Sequence, residues 1–123
     1  MDLNLQGQSV ARVCFDTPLV VLTSDSYELR VETEASFTTP EGSLISFHPE
    51  SPGEAAIHLV GMNQTTISSA TAAPDGELTV VFDDGSALTV AADPDYEAWG
   101  TVGPKGERVT CMPGGEFALW SSE

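Results

Sequence analysis

The side chains that most often carry nucleophilic catalysis are scarce in this sequence. It holds two histidines, His48 and His58, and two cysteines, Cys14 and Cys111. A catalytic triad needs a Ser, Cys or Thr activated by a His that a third group orients. No serine stands in a Gly-x-Ser-x-Gly elbow. Zinc needs Cys or His ligands at short, repeated spacing, which these four residues lack. The sequence therefore predicts no catalytic residue, no metal site and no cofactor.

Carboxylates are the one reactive group that the sequence holds in excess. Its 123 residues include 19 Asp and Glu against four Lys and Arg, so the formal net charge at pH 7 is −15. Nucleic-acid binding depends on basic groups that displace counterions from phosphates, and anionic membrane surfaces also attract basic groups. The charge therefore argues against nucleic acid and membrane as partners and favours a basic protein.

Two other uses of carboxylates, calcium binding and glycoside hydrolysis, have no specific support. A calcium-binding loop places acids at alternating positions around a central Gly, and no segment follows that pattern. Asp93, Asp95 and Glu97 do alternate, but Pro94 and Tyr96 between them indicate a turn. Among 19 acids some pair always lies at a distance suitable for glycoside chemistry, so such a pair carries no information.

Two segments place carboxylates where a partner protein could reach them. Residues 27–33 alternate strictly, so their glutamates share the face that points to solvent, and Glu41 extends that row. Arg30 interrupts the same row. Residues 93–98 form the second segment, a turn that carries three acids and one tyrosine. The candidate partner surface consists of Glu28, Glu32, Glu34, Asp93, Asp95, Tyr96 and Glu97.

Three functions remain open from the sequence. The first is a non-enzymatic acidic binding module, such as an immunity or accessory protein that recognises a basic partner protein. The second is a domain whose acidity serves solubility or salt adaptation. The third is a small acid–base enzyme, which would need a carboxylate buried in an apolar pocket. We expect the first, and hence no enzymatic activity.

The elements that must position these residues are mostly strands. Apolar residues recur with period two, and Gly, Pro, Asp and Ser interrupt them at intervals of roughly eight to twelve residues. This pattern predicts a mainly β fold of the α+β class, a curved antiparallel sheet or open barrel (roll) of about nine or ten strands. Strands are expected over residues 10–15, 19–23, 27–33, 44–47, 65–72, 78–82, 88–90, 99–102, 108–112 and 117–120. A turn is expected over residues 16–18.

One short helix interrupts the strands, near residues 53–62. One apolar stripe with helical spacing is formed by Ala55, Ala56, Leu59, Val60 and Met62. Ser51 is the expected cap, and Glu54 complements the amino end of the helix dipole. The helix is expected to pack over one face or opening of the sheet.

Length and composition predict one soluble domain over residues 1–123 in the cytoplasm. The N-terminus lacks the basic start and apolar stretch of a signal peptide, and no apolar run approaches the length of a membrane span. Cys14 and Cys111 are expected to be free thiols in a reducing compartment, unless their strands prove to be neighbours. An unprotected sheet edge would allow a homodimer.

The C-terminal stretch of residues 76–120 carries a recognisable motif. Its residues are Leu78-x-Val80-x-Phe82-x-Asp84-Gly85, then Tyr96-Glu97-Ala98-Trp99, then Cys111-x-Pro113-Gly114-Gly115-x-x-Ala118-x-Trp120. This motif resembles an uncharacterised family of small bacterial proteins that is common in actinobacteria. The resemblance implies no established activity, and a role as immunity or accessory protein only by association. The residues themselves suggest folding roles, with Trp99, Cys111 and Trp120 filling the core.

Overall fold

The alternation of apolar and polar residues produces two antiparallel sheets. The structure, a computed structural model, describes residues 1–15 and 18–121. Within those residues the strands are β1 (Val10–Phe15), β2 (Leu19–Thr23), β3 (Glu28–Val31), β4 (Ala35–Thr38), β5 (Leu44–Phe47), β6 (Ile67–Ala72), β7 (Leu78–Phe82), β8 (Ala87–Val90), β9 (Trp99–Val102), β10 (Arg108–Cys111) and β11 (Phe117–Trp120). The α-helix is α1 (Ala55–Val60), and a 3-10 turn spans Pro113–Gly115. The turn expected over residues 16–18 falls mostly outside the described residues.

The first sheet has six strands in the order β1-β2-β3-β9-β10-β11, and the second has five in the order β5-β4-β8-β7-β6. The mainly β class is confirmed, and in the described part of the chain the sheets do not close into a barrel. Strand β4 was not predicted from the sequence. Its four residues hold a single large apolar side chain, Phe37, so the period-two pattern is too short to stand out.

One core fills the space between the two sheets. The hairpin of β7 and β8 supplies its clearest part, where Leu78 pairs with Val90 and Val80 pairs with Leu88, all four fully buried. The turn between these strands forms as predicted. Gly85 has a φ of +89°, and the Asp84 carboxylate accepts hydrogen bonds from the Ser86 backbone N–H (2.9 Å) and hydroxyl (2.6 Å).

The two tryptophans have opposite environments. Trp99 is fully buried, and its indole Nε1 donates to the Gly76 carbonyl oxygen at 2.8 Å. The prediction that Trp120 fills the core is wrong, because 52% of this residue is exposed. Trp120 pairs with Arg108, and that row of the sheet points away from the core, whereas Phe117 packs against the core.

The helix is shorter than predicted and is capped differently. It spans Ala55–Val60, with Glu54 at the N-cap and no side-chain hydrogen bond there. Ser51 is not the cap. Its backbone N–H donates instead to the carbonyl oxygen of His48 at 3.0 Å. Ser51 therefore belongs to a turn that precedes the helix, and not to the helix N-terminus as predicted. Ala55 and Leu59 are buried, and the helix contacts β4 and β5.

The N-terminal segment extends the second sheet. The amino group of Met1 donates a hydrogen bond to the carbonyl oxygen of Ala72 at 2.7 Å. The backbone N–H of Leu3 donates to the carbonyl oxygen of Ala70 at 2.9 Å. Leu3 and Leu5 are buried. Residues 1–3 therefore cover the free edge of β6, a contact that no feature of the sequence indicated.

The two cysteines are far apart and on opposite faces of the first sheet. β1 and β10 are separated by three strands, which puts Cys14 and Cys111 roughly 19 Å apart at about 4.8 Å per strand spacing. Cys14 is half-buried on the outer face, and Cys111 is fully buried in the core. The strands are not neighbours, so both thiols are free.

We predict that these thiols differ sharply in reactivity. Burial, together with the negative charge of Asp75, raises the pKa of the Cys111 thiol above its ordinary value of 9.0. Titration with a thiol reagent should modify Cys14 in the native protein and Cys111 only after denaturation, and a Cys14→Ser variant should show no fast phase. Two fast thiols in the native protein would contradict this placement.

The same pKa shift favours the protonated thiol in the folded state, so the free energy of unfolding should fall as the pH rises above 9.0.

Candidate partner-binding groove

An open groove of about 880 Å³ lies where the chain passes between strands of the two sheets. Four connections form it: residues 32–34 between β3 and β4, 48–50 after β5, 93–97 between β8 and β9, and 112–113 after β10. The side chains that line it are Glu32, Thr33, Glu34, His48, Glu50, Asp93, Asp95, Tyr96, Glu97, Met112 and Pro113. We call this the acidic groove. It brings together six of the seven candidate residues, which the sequence had placed in two separate segments.

Glu32 and Glu34 enter the groove from the crossover between the sheets. Val31 ends β3 in the core, and period two then turns Glu32 outward. The backbone of Glu32 is fixed, because its N–H donates to the carbonyl of Ala98 at 2.9 Å. Both glutamate side chains are exposed, so they can contact a partner without rearrangement of the fold.

The loop of residues 93–97 forms the opposite side of the groove, and Asp93 holds it in shape. One oxygen of the Asp93 carboxylate accepts hydrogen bonds from the N–H groups of Asp95 (2.8 Å) and Tyr96 (3.0 Å). The backbone carbonyl of Asp93 accepts from the N–H of Gly114 at 2.8 Å. Asp93 therefore has a structural role besides its charge.

Tyr96 and Glu97 lie on the solvent side of this loop. Tyr96 is 68% exposed and Glu97 is also exposed. Packing against the core does not explain an exposed tyrosine at this position. Tyrosine supplies an apolar ring and a hydroxyl at low entropic cost, so this pair is suited to contact a partner.

Glu28, the seventh candidate, does not line the groove. Its Oε1 lies 3.3 Å from the guanidinium of Arg30, with both side chains partly exposed on the outer face of the first sheet. The carboxylate of Glu28 is therefore already paired, and a surface pair of this kind contributes little to stability. Glu41, which extended the predicted row, lies in the exposed turn between β4 and β5 and is also absent from the groove.

His48 and Glu50 also line the groove, although the sequence did not indicate them as candidates. Both follow the last residue of β5, and the Nδ1 atom of His48 accepts a hydrogen bond from the N–H of Glu50 at 3.2 Å. Met112 and Pro113 were also missed. No local signal could have found these four residues, because they reach the groove only through the pairing of strands distant in sequence.

The groove can offer charge and hydrogen-bond acceptors to a cationic ligand. Six carboxylates line it, and the chain's four Lys and Arg are not among its lining residues. In the described residues no Asp or Glu is buried, and no group of three or more His, Cys, Asp or Glu is arranged to hold a metal ion.

Comparison with known proteins gives a family for the whole fold. The profile of a family described as "Family of unknown function (DUF6188)" matches residues 1–121. The chain belongs to the DUF6188 family. No curated protein and no solved structure matches this DUF6188 protein. In the part of the DUF6188 chain that is described, no helix has the length and apolar character needed to cross a membrane.

Proposed function

We propose that this protein is a non-enzymatic binding module whose acidic groove recognises a basic segment of a partner protein in the cytoplasm. The observation that carries the proposal is the convergence of six carboxylates and the exposed Tyr96 from three separate connections into one groove. An immunity protein that neutralises a cationic toxin, such as a nuclease, is the concrete form. Its carboxylates would then occupy the toxin's phosphate-binding positions.

The groove suits an arginine-rich or lysine-rich segment for two physical reasons. Carboxylates accept charge-assisted hydrogen bonds from guanidinium and ammonium groups, and Arg binds a carboxylate through two parallel N–H donors. The exposed ring of Tyr96 adds a face on which a guanidinium can stack, a contact that contributes about 0.5–1 kcal/mol at exposed sites. The −15 net charge speeds encounter with a basic partner and disfavours nucleic acid and anionic membrane.

The competing function, acidity for solubility or salt adaptation, predicts that the position of the acids is unimportant. Many carboxylates do lie elsewhere, including Asp25, Glu41 and Glu54, which are exposed and do not line the groove. The two functions are therefore separated by variants that remove equal charge at different places.

The experiment is affinity capture from a lysate of the producing cells at low ionic strength. The groove variant carries Glu32→Gln, Glu34→Gln and Glu97→Gln, and the matched control carries Asp25→Asn, Glu41→Gln and Glu54→Gln. We expect the unmodified protein and the control variant to retain the same basic protein and the groove variant to lose most of it. Capture of no basic protein, or equal loss by both variants, would contradict the proposal.

A further inference from the structure

Among residues 1–15 and 18–121, the edge strand β11 leaves one side of its backbone unpaired, as does β5 at one end of the second sheet. On the second sheet, residues 1–3 cover the edge of β6. At the other end of the first sheet, Val10 of β1 forms backbone hydrogen bonds with residues 64 and 65. Within the described residues no backbone hydrogen bond covers the outer side of β11.

The ladder between β10 and β11 shows which backbone groups of that edge are free. The N–H of Met112 donates to the carbonyl of Glu116, and antiparallel pairs bond at every second residue. Ala118 and Trp120 therefore bond to β10 through their partners Thr110 and Arg108. The N–H and C=O groups of Phe117 and Leu119 point outward, away from β10.

The side chains of this edge are apolar on both faces. Leu119 is 64% exposed and Trp120 is 52% exposed. The strand Phe117–Trp120 is short, with four residues, but it contains no Lys, no Pro and no bulge, three of the devices that keep natural edge strands from pairing with another chain. A strand with these properties is suited to continue the sheet.

We propose that β11 pairs antiparallel with β11 of a second copy of this chain, around a two-fold axis at Ala118. In this register Phe117 of each copy lies opposite Leu119 of the other copy. Each pair joins the outward N–H and C=O groups of both residues, so the two six-stranded sheets become one continuous sheet.

Complementary charges on Arg108 and Glu116 favour a second copy of this chain as the partner of β11, and they favour this register. Trp120 then lies opposite Glu116 of the second copy, so Arg108, Trp120 and that Glu116 form one row on the outer face. Arg108 and Glu116 are exposed. Two strand spacings, about 10 Å, separate their backbones, a distance that an Arg and a Glu side chain can bridge across the indole ring. The symmetry makes this ion pair twice.

The test is the oligomeric state of the full chain by sedimentation over a range of protein concentrations at physiological ionic strength. The unmodified protein should show a dimer whose Kd is raised by Leu119→Lys. The matched control is Leu44→Lys, because Leu44 on the edge strand β5 is 67% exposed and should leave Kd unchanged. Thermal unfolding of both variants verifies that they fold. A monomer at every concentration, or equal effects of the two variants, would overturn the proposal.

The register has its own test. Arg108→Glu and Glu116→Arg each place like charges across the interface, so each should raise the dimer Kd by about tenfold. The double variant exchanges the two charges and should restore Kd to within about threefold of the unmodified protein. Additive weakening in the double variant would overturn the proposed register. Arg108 and Glu116 do not line the acidic groove, although Arg108 shares a small adjoining pocket with Glu32 and Glu97. Leu119 lies outside both pockets, so the test with Leu119→Lys separates the dimer from the partner-binding proposal.

Discussion

The Gly115→Ala variant is expected to lose about 3 kcal/mol of unfolding free energy. Gly115 has a φ of +97°, a conformation that costs an L-residue roughly 1–2 kcal/mol. A Cβ at this position would also overlap the carbonyl oxygen of Asp75 and lie 3.0 Å from its carbonyl carbon. Backbone atoms cannot move aside as a flexible side chain would, so overpacking adds about 1–3 kcal/mol.

Gly114 provides the matched control for this variant in the same turn. Its φ is +86°, but a Cβ there would have no atom within 4 Å. Gly114→Ala should therefore show only the conformational cost, about 1–2 kcal/mol. Chemical denaturation of both variants measures the difference. Equal losses would show that the β6–β7 turn and the β10–β11 turn do not approach each other as described.

Charge reversal in the acidic groove should have the largest effect on partner binding. The variant with Glu32→Lys, Glu34→Lys and Glu97→Lys replaces attraction to a basic partner with repulsion. Like charges placed across an interface cost several kcal/mol, so the Kd for the captured basic protein should rise by about a hundredfold or more. Calorimetric titration at physiological ionic strength measures this change.

The control for that variant reverses the same number of charges outside the groove, at Asp25, Glu41 and Glu54. Both variants have the same net charge, so a difference between them reports position rather than total charge. The control should bind within about threefold of the unmodified protein, because the Debye length of roughly 8 Å at physiological salt screens distant charges. A comparable loss in the control would favour acidity as a general property of the surface.

The sequence predicted what depends on local pattern. The hairpin of β7 and β8 follows from Leu78, Val80 and Phe82 on one face and from Asp84 and Gly85 at the turn, and the structure agrees. The errors occur where local and long-range interactions compete. Ser51 carries a good capping side chain, but its backbone closes a turn with His48, and the helix starts later.

The acidic groove itself could not be predicted from the sequence. Glu32 and Glu97 meet because β3 pairs with β9, and the hydrogen bond from Glu32 to Ala98 joins residues distant in the chain. Periodicity gives the face on which a residue lies, but it does not give the order of strands in a sheet. The sequence could therefore identify both acidic segments without indicating that they form one surface.

Amide chemical-shift mapping tests the central claim most directly. The isotope-labelled protein is titrated with a synthetic arginine-rich peptide at physiological ionic strength. We predict that the largest shifts fall on the amides of residues 32–34, 48–50, 93–97 and 112–113, apart from the prolines, which have no amide N–H, with saturation at one peptide per chain. Shifts spread evenly over exposed acids such as Asp25, Glu54 and Asp84, or no shifts at that salt concentration, would contradict the claim that the groove is a specific site for a basic segment.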